Sequence, residues 1–217
     1  MPYSNESGHG KVQGGITVNN WELFMKNKLL SLIFILFVFL TVTACDTTFK
    51  GKVIDADTKR PIEGAVVVAA WHEEQATPTG STLKLKDVTE ALTDKKGEWV
   101  IKGTRGREMG NITAIFTLLT GTYITNPPHF IIFKPAYCPW SVEAFGIDTC
   151  EGKIRPGGQD KVADGITVEL PKLTSKEDRL RALPSPVAGE NALKKQKDFL
   201  RLINEESKYL NIPEAYH

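Results

Sequence analysis

The chain of 217 residues has little net charge, and this shortage excludes one class of protein. Its 27 lysines and arginines face 26 aspartates and glutamates, which leaves a formal net charge of +1. A nucleic-acid-binding domain would usually carry a strongly basic face, so we expect no nucleic-acid partner. The 18 glycines, 12 prolines and 41% hydrophobic residues are typical of a turn-rich globular protein of one domain plus extensions.

Near the N-terminus lies an apolar run that is too short to span a membrane. It extends over about a dozen uncharged residues, from Leu29 to Leu40, whereas a spanning helix needs about 20. Lys26 and Lys28 precede the run, and small and polar residues follow it. These three parts predict a signal peptide over residues 25–44. An uncleaved transmembrane anchor is the alternative.

The end of this segment, Val42-Thr43-Ala44-Cys45, resembles the bacterial lipobox. In that family of signals the cysteine thiol is lipidated, the chain is cut before it, and the new N-terminus is usually acylated. The resemblance implies that Cys45 is the lipidation site of a lipoprotein, held on a membrane by acyl chains such as palmitate. Asp46 resembles the signal for retention in the inner membrane, so the resemblance slightly favours the periplasmic face of that membrane within the cell envelope.

Residues 1–24 do not fit a signal that starts at the first methionine. Met25 stands directly before the basic stretch and is the natural start. The codons of Trp21-Glu22 must read TGG-GAR, which contains a purine-rich GGGA run, as a ribosome-binding site for Met25 would. We therefore expect residues 1–24 to be a mis-annotated upstream extension, and any peptide from them in the unprocessed precursor would contradict this.

Residues 45–173 show short strand patterns separated by turns. Strands are predicted at residues 49–55, 64–71, 88–93, 98–102, 112–119, 130–133 and 165–170. Residues 75–81 are expected to form a loop, and Asp94 to Gly97 a turn. Because this region shows no helical pattern, we predict a mainly β protein with a single antiparallel sandwich of about seven strands.

Residues 174–217 have a different pattern. Residues 175–183 form a short charged helical stretch that ends at Pro184. Residues 190–210 then carry leucine, isoleucine and phenylalanine near helical spacing. We predict a C-terminal helical tail whose apolar face docks on the sandwich, with docking on a partner as the alternative.

Four short motifs of the predicted sandwich resemble carboxypeptidase regulatory-like domains. Gly51 to Val68 follows that family's Gly-x-Val-x-Asp, turn, Pro-Ile-x-Gly-Ala-x-Val pattern. Thr93 to Ile101 is similar to Thr-Asp-x-x-Gly-x-Phe, with Trp99 in place of Phe. Residues 130–137 resemble the strand that ends in Lys-x-Gly-Tyr, with Ala136 in place of Gly. The resemblance implies a transthyretin-like or Ig-like sandwich of about seven strands, an accessory module that is not itself catalytic.

Signatures of related enzymes are missing from the sequence. None of the histidines begins the His-x-x-Glu pair of a zinc carboxypeptidase; they are His9, His72, His129 and His217. The chain ends Glu-Ala-Tyr-His, unlike the Tyr-Arg-Gly-Ser end of the transthyretin-like hydrolases of 5-hydroxyisourate. We therefore predict that the protein is not an enzyme and has no cofactor.

Two clusters of candidate metal ligands are better explained as polar turns. A site needs several ligands at once, and aspartates are common in turns. The candidate ligands are His72, Glu73 and Glu74 in one cluster, and Asp55, Asp57 and Asp94 in the other. We predict that neither cluster binds a metal.

Two tryptophans and two cysteines are the remaining candidate site residues. Trp140 and Trp71 could stack on sugar rings, whereas Trp99 lies on an alternating strand and is expected in the core. Once Cys45 is acylated, Cys138 and Cys150 are expected to form a disulfide in an oxidising compartment, with two buried free thiols as the alternative.

Together these features predict a membrane-anchored cell-envelope lipoprotein. Its partners would be membrane lipid, through acylated Cys45, and a protein of the cell envelope. We expect the non-catalytic sandwich to act as a binding or scaffolding module. The alternative is a carbohydrate-binding module.

Overall fold

The computed structural model describes residues 28, 47–141, 150 and 165–214. The chain divides into two compact units, Met1–Ala44 and Cys45–His217, and the second contains the elements described below. Its described strands are β1 Thr47–Asp55, β2 Val66–Thr77, β3 Gly80–Leu92, β4 Glu98–Gly103, β5 Ile124–Thr125, β6 His129–Phe133, β7 Trp140–Ser141 and β8 Ile166–Leu170. Its described helices are α1 Asn111–Thr120, α2 Lys176–Arg181, α3 Glu190–Lys194 and α4 Lys197–Leu210.

The eight strands form two sheets. In the first sheet β1 lies between β4, which is antiparallel to it, and β8, which is parallel to it. The second sheet has the order β3-β2-β6-β7, with β5 beside β2, and its pairs are antiparallel. The prediction of a mainly β protein is confirmed. The purely antiparallel arrangement is wrong, because β8 pairs with β1 in parallel.

Side chains that alternate along the strands fill the space between the two sheets. Val67, Ala69 and Trp71 of β2 belong to the same buried cluster as Val53 of β1 and Ile101 of β4. Successive side chains of a strand point to opposite faces, so one face of each sheet lines this core. The two sheets therefore pack as a β-sandwich.

The opposite face of β2 is covered by the C-terminal helix. Val66 and Val68 contact a second buried cluster that contains Phe199, Leu202 and Ile203 of α4. The first half of β2, from Val66 to Trp71, is thus buried on both faces, which explains why this part of the strand is continuously apolar. The prediction that the tail docks on its own domain is confirmed.

Polar contacts fix the tail as well. The Glu90 side chain of β3 accepts hydrogen bonds from the backbone N–H groups of Asp198 and Phe199, at 2.8 and 3.0 Å, in the first turn of α4. A carboxylate in this position satisfies two N–H groups that have no partner within the helix. Arg179 of α2 donates two hydrogen bonds of 2.6 Å to the buried carboxylate of Glu206.

Two segments differ from their predictions. Residues 112–119 form helix α1 instead of a strand, because Gly110 and Gly121 terminate a helix there. The expected loop at residues 75–81 is the end of a long hairpin, in which β2 continues to Thr77 and β3 begins at Gly80. The turn glycines follow expectation, since Gly97 has a φ of 74° and a Cβ there would lie 2.3 Å from the carbonyl oxygen of Val53.

Candidate interaction surfaces

The β2–β3 hairpin changes register between Trp71 and His72, where the strand carries a bulge. Up to Trp71 the side chains of β2 belong to the buried core, and beyond it they are only partly buried. On β3, Leu85 still packs against the cluster that contains α4. A bulge inserts one extra residue and bends the strand. We call the part beyond this point, residues 72–86 and 111–125, the outer lobe; it contains α1 and β5.

Local hydrogen bonds define the ends of α1. The backbone N–H of Gly110 donates to Thr113 Oγ1 at 2.7 Å, at the N-terminus of the helix. At the C-terminus, Gly121 has a φ of 68° and its N–H donates to the carbonyl oxygen of Thr117 at 2.9 Å. A left-handed glycine is a frequent helix terminator because it has no Cβ to clash.

A threonine, and not a large apolar residue, attaches α1 to the sheet. Thr117 is the buried residue of the helix, and its Oγ1 accepts a hydrogen bond of 3.1 Å from the backbone N–H of Ala76 in β2. The same hydroxyl donates to the carbonyl oxygen of Ala114 at 3.1 Å. The helix therefore covers the part of the β2 edge that lies beyond β5. There the Thr117 hydroxyl accepts the N–H group that the carbonyl of a neighbouring strand would otherwise accept.

The large apolar side chains of α1 point away from the domain. Their spacing of i, i+3, i+4 and i+7 places them in one stripe. The exposed fractions of the stripe are 85% for Ile112, 60% for Ile115, 58% for Phe116 and 78% for Leu119. Leu118, beside this stripe, is 46% exposed. In a helix packed on a soluble domain the large apolar residues normally face inward, so the orientation of α1 is inverted.

Basic side chains border the outer lobe, together with acidic ones. Lys84 and Lys86 each lie 3.1 Å from the carboxylate of Glu73, and the two ammonium groups lower the pKa of Glu73. The Lys84 ammonium also lies 3.8 Å from the centre of the Tyr123 ring. Arg105 and Arg107 are exposed in the loop that leads into α1.

The N-terminal end of the sandwich lies beside the outer lobe. Thr47, the first residue of β1, pairs with Gly103, the last residue of β4. The indole N–H of Trp71 donates a hydrogen bond of 2.7 Å to the carbonyl oxygen of Thr104, and the rings of Phe49 and Trp71 have centres 6.3 Å apart. The start of the sandwich, the loop into α1 and the bulge of β2 therefore meet at one end of the domain.

At the opposite end of β1, a buried carboxylate closes the turn after the strand. Asp55 accepts hydrogen bonds from the backbone N–H groups of Thr58 and Asp57, at 2.7 and 3.0 Å. The Thr58 hydroxyl and the Tyr137 hydroxyl also donate to it, both at 3.0 Å. These donors, first of all the Thr58 N–H, lower the pKa of Asp55, while burial and the Asp55 charge raise the pKa of Tyr137.

The second predicted turn aspartate is also used by its own turn. Asp94 Oδ1 accepts the backbone N–H groups of Lys96 and Glu98 in its own turn, at 2.8 and 2.9 Å. His72 lies in β2 and not in a turn, with its ring centre 5.5 Å from that of His129. Within the described ranges, no three His, Cys, Asp or Glu side chains are grouped as metal ligands would be.

The three tryptophans among the described residues fall into two groups. Trp71 and Trp99 are buried, with exposed fractions of 3% and 2%. The proposal of Trp71 as a sugar-stacking residue is therefore wrong, because its ring packs in the core against Phe49 and its N–H is used by Thr104. Trp99 packs in the core as expected, close to Gly51, which leaves room for its ring. Trp140 is half-buried beside the core at β7.

The cysteines occupy separate places. Cys138 and Cys150 form a disulfide with a Cα–Cα distance of 6.3 Å. The pair packs against Leu173 and Ala182, so it connects the sandwich to the start of the tail. Cys45 lies outside the described residues, as does the predicted signal peptide except for Lys28. Among the helices of the described ranges, none has the length and apolar character that crossing a bilayer requires.

No family model matches the sequence, and no curated protein matches it. Matching solved structures include 3-chlorocatechol 1,2-dioxygenase from Rhodococcus opacus 1CP, at 18% identity and a TM-score of 0.32, over 60% of this chain and 61% of that one. The group B streptococcus pilus 2b backbone protein matches at 18% identity and a TM-score of 0.31, over 59% of this chain and 42% of that one. Catechol 1,2-dioxygenase from Acinetobacter radioresistens matches at 19% identity and a TM-score of 0.33, over 69% of this chain and 58% of that one.

This chain therefore spans less than two thirds of the length of the structures it matches. Their TM-scores are all below 0.5, and we transfer neither their names nor their chemistry to this protein. The resemblance to carboxypeptidase regulatory-like domains stays a prediction based on its motifs. One local feature agrees with it: Ala136, at the family's glycine position, has a φ of 68°.

Proposed function

We propose that this protein is a cell-envelope lipoprotein whose β-sandwich acts as a non-catalytic binding or scaffolding module close to a membrane surface. The observation that carries the proposal is the short distance along the chain between the lipobox-like cysteine and the fold. Strand β1 begins at Thr47, two residues after Cys45. A fully extended chain of two residues spans about 7 Å, so an acylated Cys45 would hold the sandwich directly against the lipid headgroups.

The first experiment compares Cys45→Ser with a matched neighbour, Thr47→Ser, in cells supplied with labelled palmitate. Cys45→Ser should lose the label and the mass of the acyl chains, because serine offers no thiol to the lipid. Thr47→Ser should keep both. An unlabelled wild-type protein whose N-terminal peptide has no lipid mass would refute the proposed anchor.

The second experiment addresses the scaffolding role. Crosslinking in intact cells, followed by purification from detergent-solubilised membranes, should recover an envelope protein in stoichiometric amount. The identified partner should lose its crosslinks when the sandwich is unfolded by a core substitution but keep them in a surface control. A protein recovered only as itself would contradict the scaffolding role.

Carbohydrate binding is the weaker candidate. Stacking on sugar needs accessible aromatic rings, and Trp71 and Trp99 are buried. Trp140 is half-buried and is the tryptophan of the described sandwich that leaves part of its ring available. Binding to a polysaccharide panel that Trp140→Ala abolishes, and that Tyr209→Ala on the exposed side of α4 preserves, would favour this role over scaffolding.

A further inference from the structure

We propose that the exposed apolar stripe of α1 inserts into the headgroup region of the bilayer that holds Cys45, and so forms a second membrane contact. The inference rests on the proposed lipid anchor. It identifies which side of the domain faces the membrane and which residues touch it.

The first support is the composition of the helix. All ten residues of α1 are uncharged, and the stripe Ile112, Ile115, Phe116 and Leu119 is 58–85% exposed. The face toward β2 carries small and polar side chains, including the buried Thr117. Helices that lie in a membrane interface expose a continuous apolar face of this kind to the lipid.

The second support is position. Thr47 lies two residues after Cys45 and pairs with Gly103, and the loop from Gly103 leads into α1 at Asn111. This loop is held against the outer lobe: the Arg107 N–H donates a hydrogen bond of 2.7 Å to the carbonyl oxygen of Thr125, and Gly106 packs against Asn126. The start of β1 and α1 therefore belong to the same end of the domain.

The third support is the charge around the stripe. Arg105 and Arg107 are exposed in the loop before α1, and Lys84 and Lys86 lie in the outer lobe, where Glu73 pairs with both lysines. The other nearby acids are Glu74 and Glu108. Arginine and lysine beside an apolar helix face match the phosphate groups of lipids, which lie just above the acyl chains. The acyl anchor raises the local concentration of these groups at the membrane, so even a weak contact would form.

A second copy of the chain fits the stripe less well. Stable protein interfaces bury about 800 Å² on each partner, whereas α1 is a helix of ten residues and about 15 Å in length. Lipid therefore fits the stripe better than a second copy does.

The test uses the acylated protein reconstituted into vesicles that contain phosphatidylglycerol. Leu119→Cys, in the stripe, carries an environment-sensitive fluorophore, and Leu180→Cys, which is 50% exposed on α2, is the matched control. A quencher attached to the lipid acyl chains should reduce the emission at position 119 at least about fivefold more than at position 180, because only α1 enters the interface.

The outcomes separate this inference from the proposed anchor, since acylation is read independently by mass. Equally weak quenching at both positions, with the emission of a fluorophore in water, would overturn the inference in an acylated, vesicle-bound protein. The proposed anchor would still stand. Shielding of position 119 that depends on protein concentration and not on lipid would assign the stripe to a second copy and also overturn it. A protein without acyl chains would overturn both proposals.

Discussion

Helices α1 and α4 both pack on β2, but they use their apolar residues in opposite ways. Helix α4 turns Phe199, Leu202 and Ile203 inward, where they are at most 3% exposed. Helix α1 turns a threonine inward and leaves Phe116 58% exposed. The apolar face of α4 is thus fully used within the chain, whereas the face of α1 has no counterpart in the described domain.

This difference separates a structural helix from a surface that is available to another molecule. Burying a large apolar side chain stabilises a domain by about 1.5–3 kcal/mol, and α4 contributes several such side chains. Helix α1 contributes little of this kind, because it is held by the hydrogen bond between Thr117 and Ala76. We therefore expect substitutions in α4 to change folding and substitutions in the stripe of α1 to change what the protein contacts.

The largest expected effect comes from matched phenylalanine truncations. Phe199→Ala should lower the free energy of unfolding by about 4 kcal/mol, because it leaves a cavity between α4 and β2. Phe116→Ala should change it by no more than about 0.5 kcal/mol, since the side chain packs on little. Urea denaturation of detergent-solubilised protein, followed by circular dichroism, measures both.

A large loss of stability in Phe116→Ala would break the comparison, because α1 would then depend on its stripe for folding. Leu180→Ala is a suitable further control, as an apolar residue half exposed on α2. Similar values for Phe116→Ala and Leu180→Ala would support the view that the stripe is a surface.

Two adjacent glutamates of α4 provide the next test. The Glu206 side chain is 3% exposed and forms the ion pair with Arg179, and it also accepts the backbone N–H of Ala136 at 3.2 Å. Glu206→Gln should destabilise the protein by about 3 kcal/mol, because the guanidinium of Arg179, whose side chain is 11% exposed, is left without its counter-charge. Glu205, 61% exposed, is the control, and Glu205→Gln should have almost no effect in the same titration.

Two carboxylates extend the comparison to pH, one in the sandwich turn and one in the outer lobe. The pKa of Asp55 is lowered, so its contribution to stability is present above the unfolded carboxyl pKa of about 3.9 and is lost as the pH falls through the folded value. Asp55→Asn should cost about 2 kcal/mol at pH 7 and flatten the stability curve below about pH 5. Stability measured from pH 7 to pH 2.5 shows whether it does.

Glu73 is the contrasting case in the outer lobe. Its pKa is also lowered, but by Lys84 and Lys86, whose side chains are 51% and 40% exposed. Glu73→Gln should therefore cost less than about 1 kcal/mol, and the difference should disappear in 1 M salt. A cost that is equal to that of Asp55→Asn and persists in salt would contradict this distinction.

Regular patterns made the sandwich and α4 predictable from sequence. The apolar run of β2 and the helical spacing of residues 190–210 indicate burial directly, and both elements are buried as expected. The Glu90 contact at the start of α4 could not be predicted, because it joins residues 108 positions apart. The parallel pairing of β1 with β8 is likewise a long-range choice that neither strand reveals.

Helix α1 was mispredicted although its signals are local. The spacing of Ile112, Ile115, Phe116 and Leu119 is helical, and Gly121 is a typical terminator. The abundance of β-branched and large apolar residues favoured a strand, since such residues are common in sheets. The rule that apolar residues face inward also fails for this helix, because its apolar stripe faces outward.

Ala136, which donates its N–H to Glu206, offers the smallest and most local test of how α4 is held. It has a φ of 68°, a conformation that costs a residue with a Cβ about 1–2 kcal/mol. Glycine removes this strain, but it also gives the unfolded chain more conformational entropy. That entropy lowers the free energy of unfolding by about 0.4–1 kcal/mol. Ala136→Gly should therefore raise the free energy of unfolding by about 0.5 kcal/mol, whereas Ala91→Gly inside β3 should lower it by a similar amount. Opposite shifts of the urea midpoint would support a strained contact beneath α4, and a loss of stability in both variants would show that the Ala136 methyl group packs there favourably.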